Sequence, residues 1–488
     1  MRFTNSTINL VLILVLVLLS AISCSIRNYD QPKPADTEAS ELDLQQSDRF
    51  RAAEPVSNWW ANFDDPDLDT LMRRALEYNN SVEIAVANIR RTKAELREAG
   101  FNLYPVADAN AAYTLNVLSA KNGLPIINRE VEIYDVSIDM SWQIDLFGRV
   151  SQAKKAAKAT YQVSLADLNG AYVSVAAEVA ATYIQLRGLQ QRLQVAQKNV
   201  ETQRQTHELT TSLVEAGTRI ELDSARSKTQ LELTRATIPP LQAQIQSAIN
   251  RLSVLTDETP GSLNAWLKEA MPIPSLPETI HMGEAEEMLK RRPDIYAAER
   301  NLASSVAEFN VAAADYFPQV EILGSVGYSA ANFTDLFIPQ ALVGNIGPSI
   351  SWSILDFGRV KARADAADAV TEARWAQYRQ TVLNALEEVS NAMTAFSQEE
   401  KRQQRLMEAA RNSASAAELA RQRYEAGLTS FLDVLEAERT LLQTQDQLTL
   451  SNLAVANDLV DMYTALGGGW QVMTKTQQAE QVSEVQKK

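Results

Sequence analysis

The residues able to do chemistry are few and far apart. Two histidines, His207 and His281, are widely separated, and the single cysteine, Cys24, excludes an intramolecular disulfide and any Cys/His metal cage within one chain. Asp64-Asp65-Pro66-Asp67 offers oxygen ligands for calcium, yet the same acids suit a helix start with Asp65 as cap and Pro66 at the first helical position. Gly467-Gly468-Gly469 is followed by no Lys-Ser or Lys-Thr, so it is not a phosphate loop. Asp433 and Glu436 stand three residues apart on one helical face, just beyond Tyr424-Glu425-Ala426-Gly427. They form either a charged site or a solvated helix start whose acids suit the dipole. No nucleophile meets a base, so an enzyme is the weakest reading, and no metal or organic cofactor is expected.

The chain that must position these residues has 488 of them, 45% hydrophobic but only 7% aromatic, with a formal charge of −15. That texture favours long helices, and the negative charge argues against a nucleic-acid partner. Residues 1–23 read as a signal peptide: Arg2, an apolar run from Ile8 to Ile22, then Ser23-Cys24. The run is shorter than the roughly 20 residues a spanning helix needs. Its end resembles the bacterial lipobox, with Ala21 where that motif has Leu, which implies a covalent lipid on Cys24; Ser25 after it implies sorting to the outer membrane. An uncleaved anchor with an incidental cysteine is the alternative. Residues 24–58 have the composition of a lipid-attached linker.

The rest of the chain is duplicated. Ser141-Trp142-Gln143-Ile144-Asp145-Leu146-Phe147-Gly148-Arg149-Val150 recurs without a gap as Ser351-Trp352-Ser353-Ile354-Leu355-Asp356-Phe357-Gly358-Arg359-Val360. The same register carries Glu215-Ala216-Gly217 onto Glu425-Ala426-Gly427 and Leu222-Asp223 onto Leu432-Asp433. Upstream, Tyr104-Pro105 matches Phe317-Pro318 with a longer first copy, and the extra length is expected in a loop. Each copy, 59–258 and 293–466, orders a helix, two strands, a very long helix, a turn and a returning helix; 259–292 joins them and 467–488 is a polar tail.

Strand alternation is nearly perfect. Tyr134, Val136, Ile138, Met140, Trp142 and Ile144 alternate with Asp135, Ser137, Asp139, Ser141, Gln143 and Asp145. The hairpins 106–145 and 319–355 are long enough for the roughly 9–11 residues per strand of a membrane barrel. A sheet lying on a soluble core is the alternative. Four strands cannot close a barrel that needs about eight, so oligomerisation follows, with two, three or four chains allowed. Arg359 to Ala426 holds neither Gly nor Pro, and Arg149 to Ala216 only Gly170 and Gly188. Gly217 and Gly427 then suit left-handed helix ends, and Pro239-Pro240 interrupts the first returning helix.

Together these residues resemble the TolC family of outer-membrane efflux factors, in particular its lipoprotein branch of the OprM and NodT type. The marks are Trp59-Trp60 with Phe63 and Asp65-Pro66, the block Arg291-Arg292-Pro293-Asp294-Ile295, both Phe-Gly-Arg-Val junctions and both Glu-Ala-Gly tips. The resemblance implies a mainly α fold with a membrane β-barrel contribution: a homotrimer with a twelve-strand β-barrel and a twelve-helix α-barrel. Residues flanking 260–292, with both mature ends, would form an equatorial region. A periplasmic adaptor would dock at the tips around Gly217 and Gly427, and an inner-membrane transporter of RND type would supply the energy. Asp433 and Glu436 would form an acidic pore constriction, and Tyr424 and Asp223 a gate latch by hydrogen bond. The implied function is a passive duct for small toxic molecules across periplasm and outer membrane. A type I protein-secretion duct is the alternative, and a non-channel coiled-coil scaffold the third reading.

Overall fold

The structure, a computed structural model, describes residues 27–32, 47–51, 53, 57–119, 121, 129–283 and 289–471. The signal peptide and Cys24 lie outside the described residues. In chain order the main elements are α1 (Pro66–Tyr78), α2 (Asn80–Phe101), β1 (Val106–Val117), β2 (Glu130–Ile144), α3 (Arg149–Glu215), α4 (Glu221–Ala236), α5 (Ile238–Leu255), α6 (Pro293–Ala314), β3 (Gln319–Ala330), β4 (Leu342–Ser351), α7 (Arg359–Glu425) and α8 (Phe431–Ala465). They fold into two compact units, one of residues 1–32, 88–165 and 297–378, the other of 33–87, 166–296 and 379–488. Neither unit follows a repeat boundary. Each repeat gives a strand pair to the first unit and a hairpin tip to the second.

The first unit carries the antiparallel sheet β1-β2-β3-β4. Its register sets Tyr113 opposite Tyr134, Ile138 opposite Val326 and Val320 opposite Ile350, so the apolar alternates of all four strands share one face. The other face sets Asp108 against Asp139 and Ser325 against Asn345. On it Asn110 Nδ2 and Ser137 Oγ donate to the Asp139 carboxylate at 2.7 and 2.9 Å. Among the described residues this face is covered at one end, where Phe333 and Phe337 lie against Tyr134 and Tyr328, and is left exposed along its middle. Ile138 and Val326 are 54% and 53% exposed, and Ile346 and Ile350 76% and 69%. At about 25 cal/mol per Å² a sheet on a soluble core would have removed that area from water, so the soluble-core alternative fails.

Two expectations about the hairpins are corrected. The β1–β2 ladder has twelve pairs and the β3–β4 ladder ten, while the connecting segments run 118–129 and 331–341, so the extra length of the first copy lies mostly in its strands and only by one residue in its loop. β4 also stops at Ser351, leaving Trp352 and Ile354 outside it. The repeat shows here in a matched contact. Trp142 Nε1 donates to the Leu103 carbonyl at 2.9 Å, and Trp352 Nε1 to that of Tyr316 at 3.1 Å. At the strand-to-helix junctions, the Asp145 carboxylate accepts from the Val150 and Ser151 N–H groups at 2.9 and 2.8 Å. Asp356 accepts from Gly358 and Val360 at 3.0 and 2.8 Å, although the two acids hold different places in the repeat.

The second unit justifies the helix-start reading of Asp64-Asp65-Pro66-Asp67. Asp65 caps α1 by accepting from the N–H groups of Asp67 and Leu68 at 2.9 and 3.0 Å, and also accepts from the Tyr183 hydroxyl. The Asp67 carboxylate is taken by Arg187 at 2.7 Å and by Trp266 Nε1 at 2.9 Å. Trp59 stacks on Tyr463 at 5.2 Å. Gly467, at φ +67°, lies so close to Arg292 that an added Cβ would stand 3.0 Å from its Cγ, which explains a glycine there. Arg292 itself donates to the Ala465 carbonyl at 2.8 Å and pairs with Asp294 and Glu388 at 2.7 Å. The residues expected to be linker include an ordered piece: Phe50–Arg51 pairs in parallel with Ile280–His281, and Phe50 is buried beside Phe396.

α3 and α7 are each 67 residues long, about 100 Å at 1.5 Å per residue. The first return is split at Thr237, with Pro239 and Pro240 in the opening turn of α5; the second, α8, is continuous for 35 residues. No helix of the described residues is long and apolar enough to cross a membrane.

Candidate functional site at the hairpin tips

Both long helices end in the same way. Gly217 has φ +70° and Gly427 φ +75°, a left-handed conformation that costs other residues a Cβ clash. In the first tip the N–H groups of Gly217 and Thr218 return to the carbonyls of Val214 and Leu213; in the second those of Gly427 and Leu428 return to Tyr424 and Arg423. The chain is thereby reversed within a few residues. The restarts differ, because α8 opens with a reciprocal capping box between Ser430 and Asp433 while α4 follows Ile220 with no side-chain cap.

Asp433 is therefore a helix-capping acid in this chain. Its carboxylate accepts from the Thr429 hydroxyl, from Ser430 Oγ at 2.7 Å and from Ser430 N–H at 3.0 Å. Those bonds, that of Thr429 first, hold its carboxyl below the ordinary Asp value, so it stays charged well into acid. Glu436 lies one turn on and is exposed like Asp433.

Tyr424 and Asp223 are brought together in charge but not in contact. Tyr424 is 1% exposed and packs with Phe431, Val434 and Leu435, its ring at 5.6 Å edge-on to that of Phe431. Its hydroxyl is buried without a hydrogen-bond partner among the described residues. Burial pushes the hydroxyl pKa upward, the Asp223 charge adds to this, and Arg219 opposes it. The latch hydrogen bond implied for Tyr424 and Asp223 is thus not made within this chain. Arg219 bridges the tips instead. Its guanidinium lies 4.5 Å from the Tyr424 ring centre and donates through Nη2 to the Tyr424 carbonyl at 3.1 Å.

Higher on the same hairpins lies a group that the sequence did not disclose. Glu438, 4% exposed, accepts from Gln203 Nε2 and Thr206 Oγ1, both at 2.8 Å, and burial raises its pKa. His207 is half-buried and meets Ser227 Oγ through Nδ1 at 2.8 Å. Among the described residues no group of three or more His, Cys, Asp or Glu is placed to hold a metal ion.

An amphipathic sheet with both edges open, on a chain with two long helical hairpins and matching tips, defines a protein built to line a passage. The model of the outer membrane efflux protein family matches residues 71–257 and 285–468, and the chain belongs to that family. It is 29% identical over 474 residues to the pyoverdine export outer membrane protein OpmQ of Pseudomonas aeruginosa, covering 95% of this chain and 97% of the relative. Nodulation protein T of Rhizobium leguminosarum bv. trifolii is 27% identical over 425 residues, covering 86% and 89%. Among solved structures the outer-membrane channel OprN superposes with a TM-score of 0.85 at 35% identity, over 91% of this chain and 99% of that one. The protein is an outer-membrane efflux component, and the scaffold reading is set aside.

Proposed function

We propose that three copies of this chain form a passive duct that carries small molecules through the periplasm and out across the outer membrane. The observation that carries this is the exposed apolar face of a four-strand sheet whose edges, β1 and β4, have no strand partner among the described residues. Closing it in lipid requires other copies, since unpaired edges cannot be left in hydrocarbon. Three chains give a twelve-strand β-barrel, and their long hairpins a twelve-helix α-barrel. A periplasmic adaptor engages the tips around Gly217 and Gly427, an inner-membrane transporter of RND type drives export, and a lipid on Cys24 adds a second anchor. Asp433 and Glu436 ring the mouth, and the unsatisfied Tyr424 hydroxyl closes on Asp223 as the gate latch. The reading assigns the chain no catalytic step and no cofactor. OpmQ is named for export of pyoverdine, a small molecule, which favours such cargo over a secreted polypeptide.

The test is transport. Purified protein in planar bilayers should give discrete conductance steps, and a strain lacking the gene should accumulate a fluorescent efflux dye that the restored gene clears. Dye levels independent of the gene, with a secreted polypeptide retained in its absence, would replace small-molecule efflux by protein secretion.

A further inference from the structure

The unit that carries the strands holds a recess of about 230 Å³, away from the tips, between residues 27–29, α3 and α6. Gln152, Lys155 and Lys158 of α3 form one wall, Arg300 of α6 another, and Val306 with Ala307 the floor. The segment closing it is pinned in place. Arg27 and Asn310 exchange two hydrogen bonds, N–H to Oδ1 at 2.8 Å and Nδ2–H to the carbonyl at 2.9 Å. The Arg27 guanidinium grips Asp368 through two bonds, at 2.5 and 3.1 Å, over the ring of Phe309, and Arg300 pairs with Glu299. Two of the four cations are therefore neutralised and two are not. Lys155 and Lys158 have no acidic partner among the described residues. Gln152 is 9% exposed, lines the recess, and its side-chain amide bonds to no described group. An amide on a residue nine-tenths buried that opens into the recess, beside two exposed ammonium groups with no acid to pair with, presents a donor and two positive charges to an anion.

Sequence placement supports the same conclusion. From Arg149 the chain runs through Lys154, Lys155 and Lys158 to Asp167 before it meets an acid, in a protein of net charge −15. α3 starts five residues after β2 ends, and Lys155 and Lys158 stand about 9 and 14 Å along it. Helical side chains lean back toward the N-terminus, here toward the strands, and long amines extend further to reach an interface.

We propose that this recess binds the phosphodiester headgroup of an anionic phospholipid from the periplasmic leaflet. The phosphate lies between Lys155 and Lys158, accepts from the Gln152 amide, and sets the glycerol against Val306 and Ala307. The site goes beyond the export duct and rests only on the strands marking the membrane.

Binding is measured on the whole oligomer in neutral detergent, so a failure here leaves export untouched. The probes are short-chain phosphatidylglycerol, the matching diacylglycerol and inorganic phosphate. Phosphatidylglycerol should bind, diacylglycerol should not, and millimolar inorganic phosphate should displace little of it. Lys155→Gln with Lys158→Gln should weaken binding about thirtyfold, roughly fivefold for each lysine. Gln152→Leu should weaken it further without moving the melting temperature. Lys154→Gln is the control, because Lys154 packs against Gly100 on another face and should have no effect. Equal binding of diacylglycerol, full displacement by inorganic phosphate, or an equal loss in the Lys154 variant would each overturn the proposal. The first would make the contact apolar, the second a free-phosphate site, and the third general surface charge.

Discussion

At the scale of single residues, the tip separates groups that gate from groups that hold the backbone. Tyr424→Phe removes a buried hydroxyl that bonds to nothing among the described residues, so the solubilised protein should unfold no more easily and should gain up to about 1 kcal/mol. A loss above about 1 kcal/mol would mean that the hydroxyl is already bonded in the resting oligomer. Both Tyr424→Phe and Asp223→Ala should nonetheless leak more in bilayers if the pair closes the mouth, and unchanged conductance in both would remove the latch. Asp433 and Glu436 divide similarly. Glu436→Gln should weaken block by trivalent cations while sparing thermal stability, whereas Asp433→Asn should weaken block and loosen the start of α8, because its carboxylate is half of a capping box. The Asp433 pKa is depressed, so its contribution is present above the ordinary Asp value of about 3.9 and is lost only as pH falls through the lower folded value. Block should therefore persist at pH 5. Loss of half the block by about pH 4 in a Glu436→Gln background would show that Asp433 titrates at the ordinary Asp value at the mouth.

At the scale of elements, much was legible because one short pattern decides each case. Asp65-Pro66 starts a helix, Tyr134 to Ile144 alternates, and Gly217 and Gly427 end helices whose interiors lack proline. What stayed hidden depends on distant partners. Glu438 looks like any outward acid on a helix until Gln203 and Thr206, on another helix, are found donating to it. Arg219 meets Tyr424 across two hairpins, and Phe50–Arg51 becomes a strand only because Ile280–His281 lies beside it. Asp458 of α8 belongs with these: burial first, then the charges of Glu399 and Asp461, push its pKa up to about 6. An acid raised above its unfolded value of about 3.9 stabilises the fold below that value and loses the contribution as pH rises through 6. Asp458→Asn should stabilise the protein at pH 7 by about 1 kcal/mol, after discounting for a half-exposed site, and flatten the melting curve between pH 4 and 6. Thermal unfolding across that range checks it; an unchanged slope would mean that Asp458 is ionised in the fold.

At the scale of the whole molecule, the proposed trimer makes a geometric demand on the sheet. β1 of one protomer must lie against β4 of the next, so Asn110→Cys with Asn345→Cys, one on each edge strand, should give disulfides between protomers and none within one. Cys24 is the only native cysteine, and under the proposed lipidation its thiol is blocked, so no native thiol confuses the pattern. Non-reducing electrophoresis should show a ladder that stops at three chains. A ladder ending at two or four would change the stoichiometry, and a purely monomeric band would leave the edges unpaired.

The uncovered sheet also determines the order of events in the life of the chain. A protomer with open edges and an unburied apolar face has no finished state of its own, so completing the fold and meeting other copies are one reaction. Its rate must then rise with the number of newly exported chains, unlike that of a monomer, which folds at a rate independent of its neighbours. Between export and assembly the strands are an aggregation hazard, so the interval before enough chains have arrived is the vulnerable stage of the pathway.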